Sequence, residues 1–271
     1  MRFLAVMGCV PAILLAQDAR EIVRRSVAQD AADIVLARNY TYQERQEQRE
    51  LDGSGKVKSS DAHTYAVTLM EGSPYRRLIA RNDRPLPANE QQKEDERLHR
   101  STQDRSQETP EQRQQRIADW HRRQESQREP AREIPDAFDL RLTKNESLDG
   151  RPVYVIEGMP KPGYKPKSKG AFFLPKVKAR LWIDQRDYQC IKAEFEMLEP
   201  IYWGGILVRL SKGDRFSLEF TRVDGGAWLP KRMLLSGSAR IMLVKAIHGD
   251  FEIAYSDYKK YPAGAVVSAV R

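Results

Sequence analysis

"KARLWIDQRDYQCIKAEFEM", residues 178–197, decides the fold class. Ala179, Leu181 and Ile183 alternate with Lys178, Arg180, Trp182 and Asp184. A polar turn follows, Asp184-Gln185-Arg186-Asp187. Ile191, Ala193, Phe195 and Met197 then alternate with Cys190, Lys192, Glu194 and Glu196. Period-two alternation on both sides of a turn predicts a β-hairpin with one apolar and one wet face. Cys190 falls in the wet register and reads as an incidental strand residue, with no second Cys or His near it in sequence.

Turn chemistry repeats outward from this hairpin. On its C-terminal side come Lys212-Gly213-Asp214, Asp224-Gly225-Gly226, Ser236-Gly237-Ser238 and His248-Gly249-Asp250, spaced as in an antiparallel meander. Phe216, Leu218 and Phe220 share one strand face, and Phe251, Ile253 and Tyr255 share another. Met233-Leu234-Leu235 and Ile241-Met242-Leu243-Val244 are apolar on both faces, which predicts central positions. On its N-terminal side, residues 135–159 hold two further strands around Leu148-Asp149-Gly150. Residues 39–83 hold three more, separated by Asp52-Gly53-Ser54-Gly55 and Glu71-Gly72-Ser73-Pro74. The first of these, "NYTYQERQEQREL", is so polar that it reads as an edge strand.

Two segments break the β pattern. Residues 18–38 read as a helix with Asp18 as N-cap, Glu21 completing a capping-box pattern, and Ile22, Val23, Val27, Ile34 and Val35 along one stripe. Residues 89–133 contain eleven acidic and ten basic residues with few large apolar ones, so they form no polyanion-binding tail. They read as a charged helical insert, at about 87–133, split at Thr109-Pro110 and weakly anchored. Together these elements predict a mainly β fold: one strongly curved antiparallel sheet of roughly ten strands, since wide open sheets curl. Its apolar face wraps around the N-terminal helix.

Residues 3–15, "FLAVMGCVPAILL", follow Met1-Arg2 and precede Ala16 and polar sequence. This is the pattern of a secretory signal peptide, 1–16, cut near Ala16 to leave a single exported domain, 17–271, in the periplasm. Val6-Met7-Gly8-Cys9 loosely matches a lipidation motif, but only eight residues precede Cys9 and the apolar run continues past it. The mature chain then has one thiol, Cys190, and no internal disulfide. Net charge is +8 with pI ≈ 9.4, which bears on partners and not on fold.

The layout resembles the LolA/LolB-like lipoprotein-carrier superfamily. The resemblance rests on the helix opening at Asp18, "ARLWIDQRDYQCIKAEFEM" at 179–197, "WLPKRMLL" at 228–235 and "FEIAYSDYKKY" at 251–261. Within these, Arg180 to Asp184, Trp228-Leu229-Pro230 and Tyr258-Lys259-Lys260-Tyr261 match strand patterns frequent in that superfamily. The resemblance implies an incomplete antiparallel barrel of about eleven strands with helices plugging its concave side. It also implies a non-enzymatic carrier of lipid or lipoprotein acyl chains. The lining candidates are then Leu181, Ile183, Phe195, Met197, Phe216, Leu218, Phe220 and Leu235.

No chemistry competes with that expectation. His63, His99, His121 and His248 have no metal-ligand spacing, and there is no HExxH, CxxC, GxSxG or phosphate-cradling Gly-rich loop. No catalytic residue, metal or cofactor is expected. The alternative function is an interaction module. "KPGYKPKSKGAFFLPKVKAR", 161–180, has no acid, and Lys161, Lys165, Lys167, Lys169 and Lys176 surround Phe172 and Phe173. Such a loop suits another envelope protein or an anionic membrane surface. Nucleic acid is not an expected partner of an exported chain.

Overall fold

Thirteen strands form one antiparallel sheet in the computed structural model, which describes residues 18–203, 208–241 and 245–261. The strands are β1 (Tyr40–Leu51), β2 (Val57–Met70), β3 (Ser73–Arg81), β4 (Arg84–Pro85), β5 (Phe138–Leu148), β6 (Arg151–Pro160), β7 (Val177–Asp184), β8 (Cys190–Met197), β9 (Ile201–Trp203), β10 (Val208–Leu210), β11 (Arg215–Arg222), β12 (Trp228–Ile241) and β13 (Lys245–Lys260). Eleven run in the order β4-β3-β2-β1-β13-β12-β11-β8-β7-β6-β5, and β9 and β10 pair beside β12. Among the described residues β4 and β5 do not pair, so the barrel stays open. The signal segment and Cys9 lie outside the described residues, as do Met242 to Val244.

Helix α1 (Ala19–Ala37) lies on the concave face, with Asp18 Oδ1 accepting from the Arg20 amide at 2.9 Å. Glu21 does not complete a capping box; it pairs with Arg25 at 3.0 Å. Ile22 and Val23 are buried in the main core with Ile156, Leu181, Ile183 and Phe195. The side chains of Ile34 and Val35 lie outside the described residues. Helix α2 (Ala88–Ser106) packs on β3, and α3 (Pro110–Ala137) runs antiparallel to α1, with Arg128 paired to Asp30 at 3.6 Å. Thr109 caps α3 in a full capping box with Gln112, and Pro110 opens the first turn.

Several sequence expectations are corrected here. The polar strand β1 is central, between β2 and β13, not an edge. Its charges are paired inside the sheet: Arg45 with Asp83 at 2.6 Å, Arg49 with Glu252 at 2.8 Å, and Glu44 with Arg76 at 2.6 Å. The triplets at Ser236–Ser238 and His248–Asp250 are not turns but lie within β12 and β13. Gly237 and Gly249 face each other across that pair. A Cβ on Gly237 would run into Asp214, and one on Gly249 into the Arg49 carbonyl. These glycines permit close approach between backbones and side chains, not chain reversal. Helix α3 continues to Ala137, past the expected end of the insert, and buries Glu133, Ile134, Pro135 and Ala137.

Nor is the insert loosely attached. Arg105 donates to the carbonyls of Met70, Ser73 and Pro74 at 2.8, 3.1 and 3.2 Å. Arg116 donates to the Glu71 carbonyl at 2.9 Å and to Glu108 at 2.6 Å. Polar clamps on the β2–β3 turn do the anchoring that apolar contacts do elsewhere. At the far end, Glu133 accepts from Tyr164 Oη at 2.7 Å and from the Lys167 and Ser168 amides at 2.9 and 2.8 Å.

Candidate functional site: the half-open strip of the concave face

Strand register lines up two rows of side chains across the concave face. One runs Phe195, Phe216, Leu235, Phe251 and then Gln48. The other runs Ala193, Leu218, Met233, Ile253 and then Gln46. At the β8 end the rows are sealed. Ile22 and Val23 of α1, Ile134 and Ala137 of α3, and Ala171 and Leu174 belong to the same buried cluster. Phe195 stacks on Phe216 at 6.3 Å and meets Phe173 edge-on at 6.2 Å. Toward β13 the rows are more exposed. Phe216, Leu218, Met233, Leu235 and Ile253 are half-buried, and Phe251 is 38% exposed.

The eight lining candidates therefore separate. Leu181, Ile183, Phe195 and Met197 are buried in the packed cluster. Phe216, Leu218 and Leu235 rim it and stay half-open. Phe220 leaves the group: a register shift between Glu219 and Phe220 skips Lys231 in β12, and Phe220 packs with Trp182 and Trp228 in a second cluster. Met233, Phe251 and Ile253 belong to the strip although sequence reasoning left them out of it. Their signal was present in the alternation, but reading Gly237 and Gly249 as turns broke the β12–β13 pairing that aligns them.

A second bulge corrects Cys190. Trp182 pairs with Lys192 and Ile183 with Cys190, so Ile191 is the extra residue. Cys190 therefore packs against the main core and Ile191 joins the second cluster. Burial, with the Asp30 carboxylate adding to it, pushes the Cys190 thiol up to about 12. The superfamily-like strand residues prove to be architectural. Asp184 is fully buried; burial opposes its charge, yet Arg151 Nε at 2.5 Å and the Arg186 amide at 2.7 Å hold its pKa below the usual value. Arg151 also lies over the Trp228 ring at 5.0 Å.

The apolar strip ends in a polar patch on β1, β2, β3 and β13 that sequence reasoning did not assemble. Glu44 is buried and accepts from Arg76 Nη2 at 2.6 Å and Gln46 Nε2 at 2.7 Å. The Arg76 guanidinium lies 4.2 Å over the Tyr65 ring. Tyr42 packs against Tyr255 at 5.8 Å and Tyr258 at 5.4 Å. Burial raises the Tyr42 phenol to about 12 and moves Tyr255 and Tyr258 in the same direction. These residues are scattered over more than 200 positions of sequence, and the β1–β2, β2–β3 and β1–β13 pairings bring them together.

The basic loop is pinned and not free. Lys161 Nζ donates to the Asp136 carbonyl at 2.8 Å, and Lys167 pairs with the Asp136 carboxylate at 3.2 Å. Phe172 and Phe173 pack against the main core, so the aromatic part of the expected docking loop is used internally. Lys165, Lys167 and Lys169 stay exposed, and Lys176 is half-buried. Burial disfavours the Glu133 charge, but the hydrogen bonds from Tyr164, Lys167 and Ser168 outweigh it and hold its pKa at about 2. Among the described residues no group of three or more His, Cys, Asp or Glu is placed to hold a metal ion. None of their helices is long and apolar enough to cross a membrane.

An open antiparallel half-barrel, plugged by helices at one end and bearing a half-exposed apolar strip at the other, is the class of structure these features define. Among solved structures the chain is similar to a domain described as an outer membrane lipoprotein-sorting protein from Vibrio parahaemolyticus, at 12% identity and TM-score 0.36 over 90% of this chain and 94% of that one. It is similar to a LolA superfamily protein from Nitrosomonas europaea, at 16% identity and TM-score 0.33 over 89% and 92%. It is also similar to the Pseudomonas aeruginosa MucA/MucB complex structure, at 11% identity and TM-score 0.26 over 89% and 94%. No protein-family model matches the chain, and no curated protein matches it either.

Proposed function

We propose that this chain is a non-enzymatic carrier that holds an acyl chain of a lipid or lipoprotein along the concave strip, in the periplasm after export as a single domain. The observation behind this reading is the change in burial along one continuous apolar row. Phe195 is 6% exposed, while Phe251, three strands away in the same row, is 38% exposed. The core needs no open row to be complete, and a contiguous apolar surface left uncovered in a folded chain marks a binding surface. Leu218, Met233 and Leu235 lie in the middle of it and are the expected contacts. Sequencing the N-terminus of the mature protein tests export, which predicts a start near Gln17.

Titration with cis-parinaric acid, a fluorescent fatty acid, tests the binding site. Wild type should bind saturably, and Leu235→Gln should weaken binding while the protein remains folded. A wild type that leaves the probe unbound refutes the carrier reading. Binding to anionic vesicles that disappears when Lys165, Lys167 and Lys169 are replaced by Gln would then support the interaction module.

A further inference from the structure

We propose that the patch around Arg76 is a head-group site that selects an amphiphile with an oxyanion head, carboxylate or phosphate, whose single chain lies along the apolar strip. The inference rests on the carrier reading above and adds the chemical class of the ligand. Ile253 and Gln46 end the apolar row, and Tyr255 and Glu44 sit one step further along the same strands and on the same face, about 7 Å away. The surface therefore changes from apolar to polar within one side-chain spacing, as an amphiphile requires.

The patch groups several donors around one carboxylate. The Glu44 carboxylate is buried and accepts from Arg76 and Gln46, both at Oε1. The Arg76 side chain is 44% exposed, and Nη2 makes its bond to Glu44. Its Nε and Nη1 have no protein acceptor among the described residues. The Tyr42, Tyr65 and Tyr255 hydroxyls also have no hydrogen-bond partner among the described residues. Tyr258, in contrast, donates to the Pro230 carbonyl at 2.6 Å. The Tyr42 and Tyr255 phenols, like any phenol at neutral pH, are protonated and can donate. Glu44 and the Tyr65 face hold the guanidinium in place, which leaves its outer edge set for an oxygen-rich ligand. A cationic head would meet the Arg76 charge, half-exposed above a buried Glu44.

Paired ligands that differ only in the head test this. Wild type should bind cis-parinaric acid roughly tenfold or more tighter than its methyl ester, the difference expected for hydrogen bonds to a charged group. Lysophosphatidic acid should displace the probe more effectively than monoolein. The tighter of lysophosphatidic acid and oleate identifies phosphate or carboxylate as the preferred head. Arg76→Gln should collapse the acid–ester difference. Because it strips Glu44 of its counter-charge, Tyr65→Phe and Tyr255→Phe provide the parallel test: both keep the ion pair, and each should reduce the difference. Equal binding of acid and ester by wild type, or equal weakening of both by these variants, overturns the head-group site and leaves the carrier reading standing. Binding of neither overturns both.

Discussion

Phe195 and Phe216 are direct neighbours across β8 and β11, yet they should respond to truncation in opposite ways. Phe195 is almost fully buried, stacked on Phe216 and edge-on to Phe173. Phe195→Ala removes a whole ring from a packed cluster, which costs about 3–5 kcal/mol through lost burial and the cavity left behind. For a chain of this size that is a fall of roughly 6–20 °C in Tm. Phe216 is half-buried, so its truncation forfeits roughly half as much, about 1.5–2.5 kcal/mol. Its loss should appear instead as weaker capture of cis-parinaric acid. Calorimetric melting of both single variants and the double variant also measures their coupling, expected at about 0.5–1.5 kcal/mol for a stacked aromatic pair. A Phe195→Ala protein that melts within about 2 °C of wild type would mean the cluster is not packed. The division of the concave face into sealed and open halves would then be wrong.

Glu133 should make stability depend on acid. Its pKa is about 2 in the folded protein against 4.5 ordinarily, so its contribution is full above about 4.5 and is lost as pH falls toward 2. Denaturant unfolding should show Glu133→Gln less stable than wild type at neutral pH, with the gap closing across that window. Cys190, its thiol at about 12, should resist iodoacetamide at pH 8 in the native state and react once the chain is unfolded, as read by mass spectrometry. Arg105→Ala and Arg116→Ala should each raise amide exchange in α2 and the first turns of α3 above wild type, because the clamps on the β2–β3 turn are lost. Gly249→Ala should destabilise the β1–β13 pair, since its Cβ would meet the Arg49 carbonyl; unchanged melting would contradict that close approach.

The sequence pattern carried the hairpin at 178–197, the α1 helix, the Thr109 break and the incomplete barrel, because each depends on local periodicity or capping. It misplaced what depends on pairing. The charges of β1 looked like an edge because their partners, Asp83, Arg76 and Glu252, are distant in sequence. Ile191 and Lys231 are single extra residues that alternation cannot reveal; the first turned Cys190 into the main core, and beside the second Phe220 packs with the second cluster. The apolar half of the candidate strip was legible in Phe216, Leu218 and Leu235. Its polar end was not, since no window of sequence contains Glu44, Arg76 and Tyr255 together. The expectation of a loose insert weighed apolar content alone, which is low in α2, and could not show that Arg105 and Arg116 hold it through backbone carbonyls.

The order of the strands also sets an order of assembly. β13 sits between β1 and β12 and is the last strand described, so it joins one block, β4-β3-β2-β1, to another, β12-β11-β8-β7-β6-β5. Before residues 245–260 arrive, each block ends in an exposed edge, and those of β1 and β12 are long. The pairing of Tyr40 with Lys260 spans nearly the whole described chain, and loops of that length close late. A chain emerging from its N-terminus therefore cannot complete this sheet until residues 245–260 have emerged. The half-barrel, its strip and the patch beside it come into being together, in the step that inserts β13.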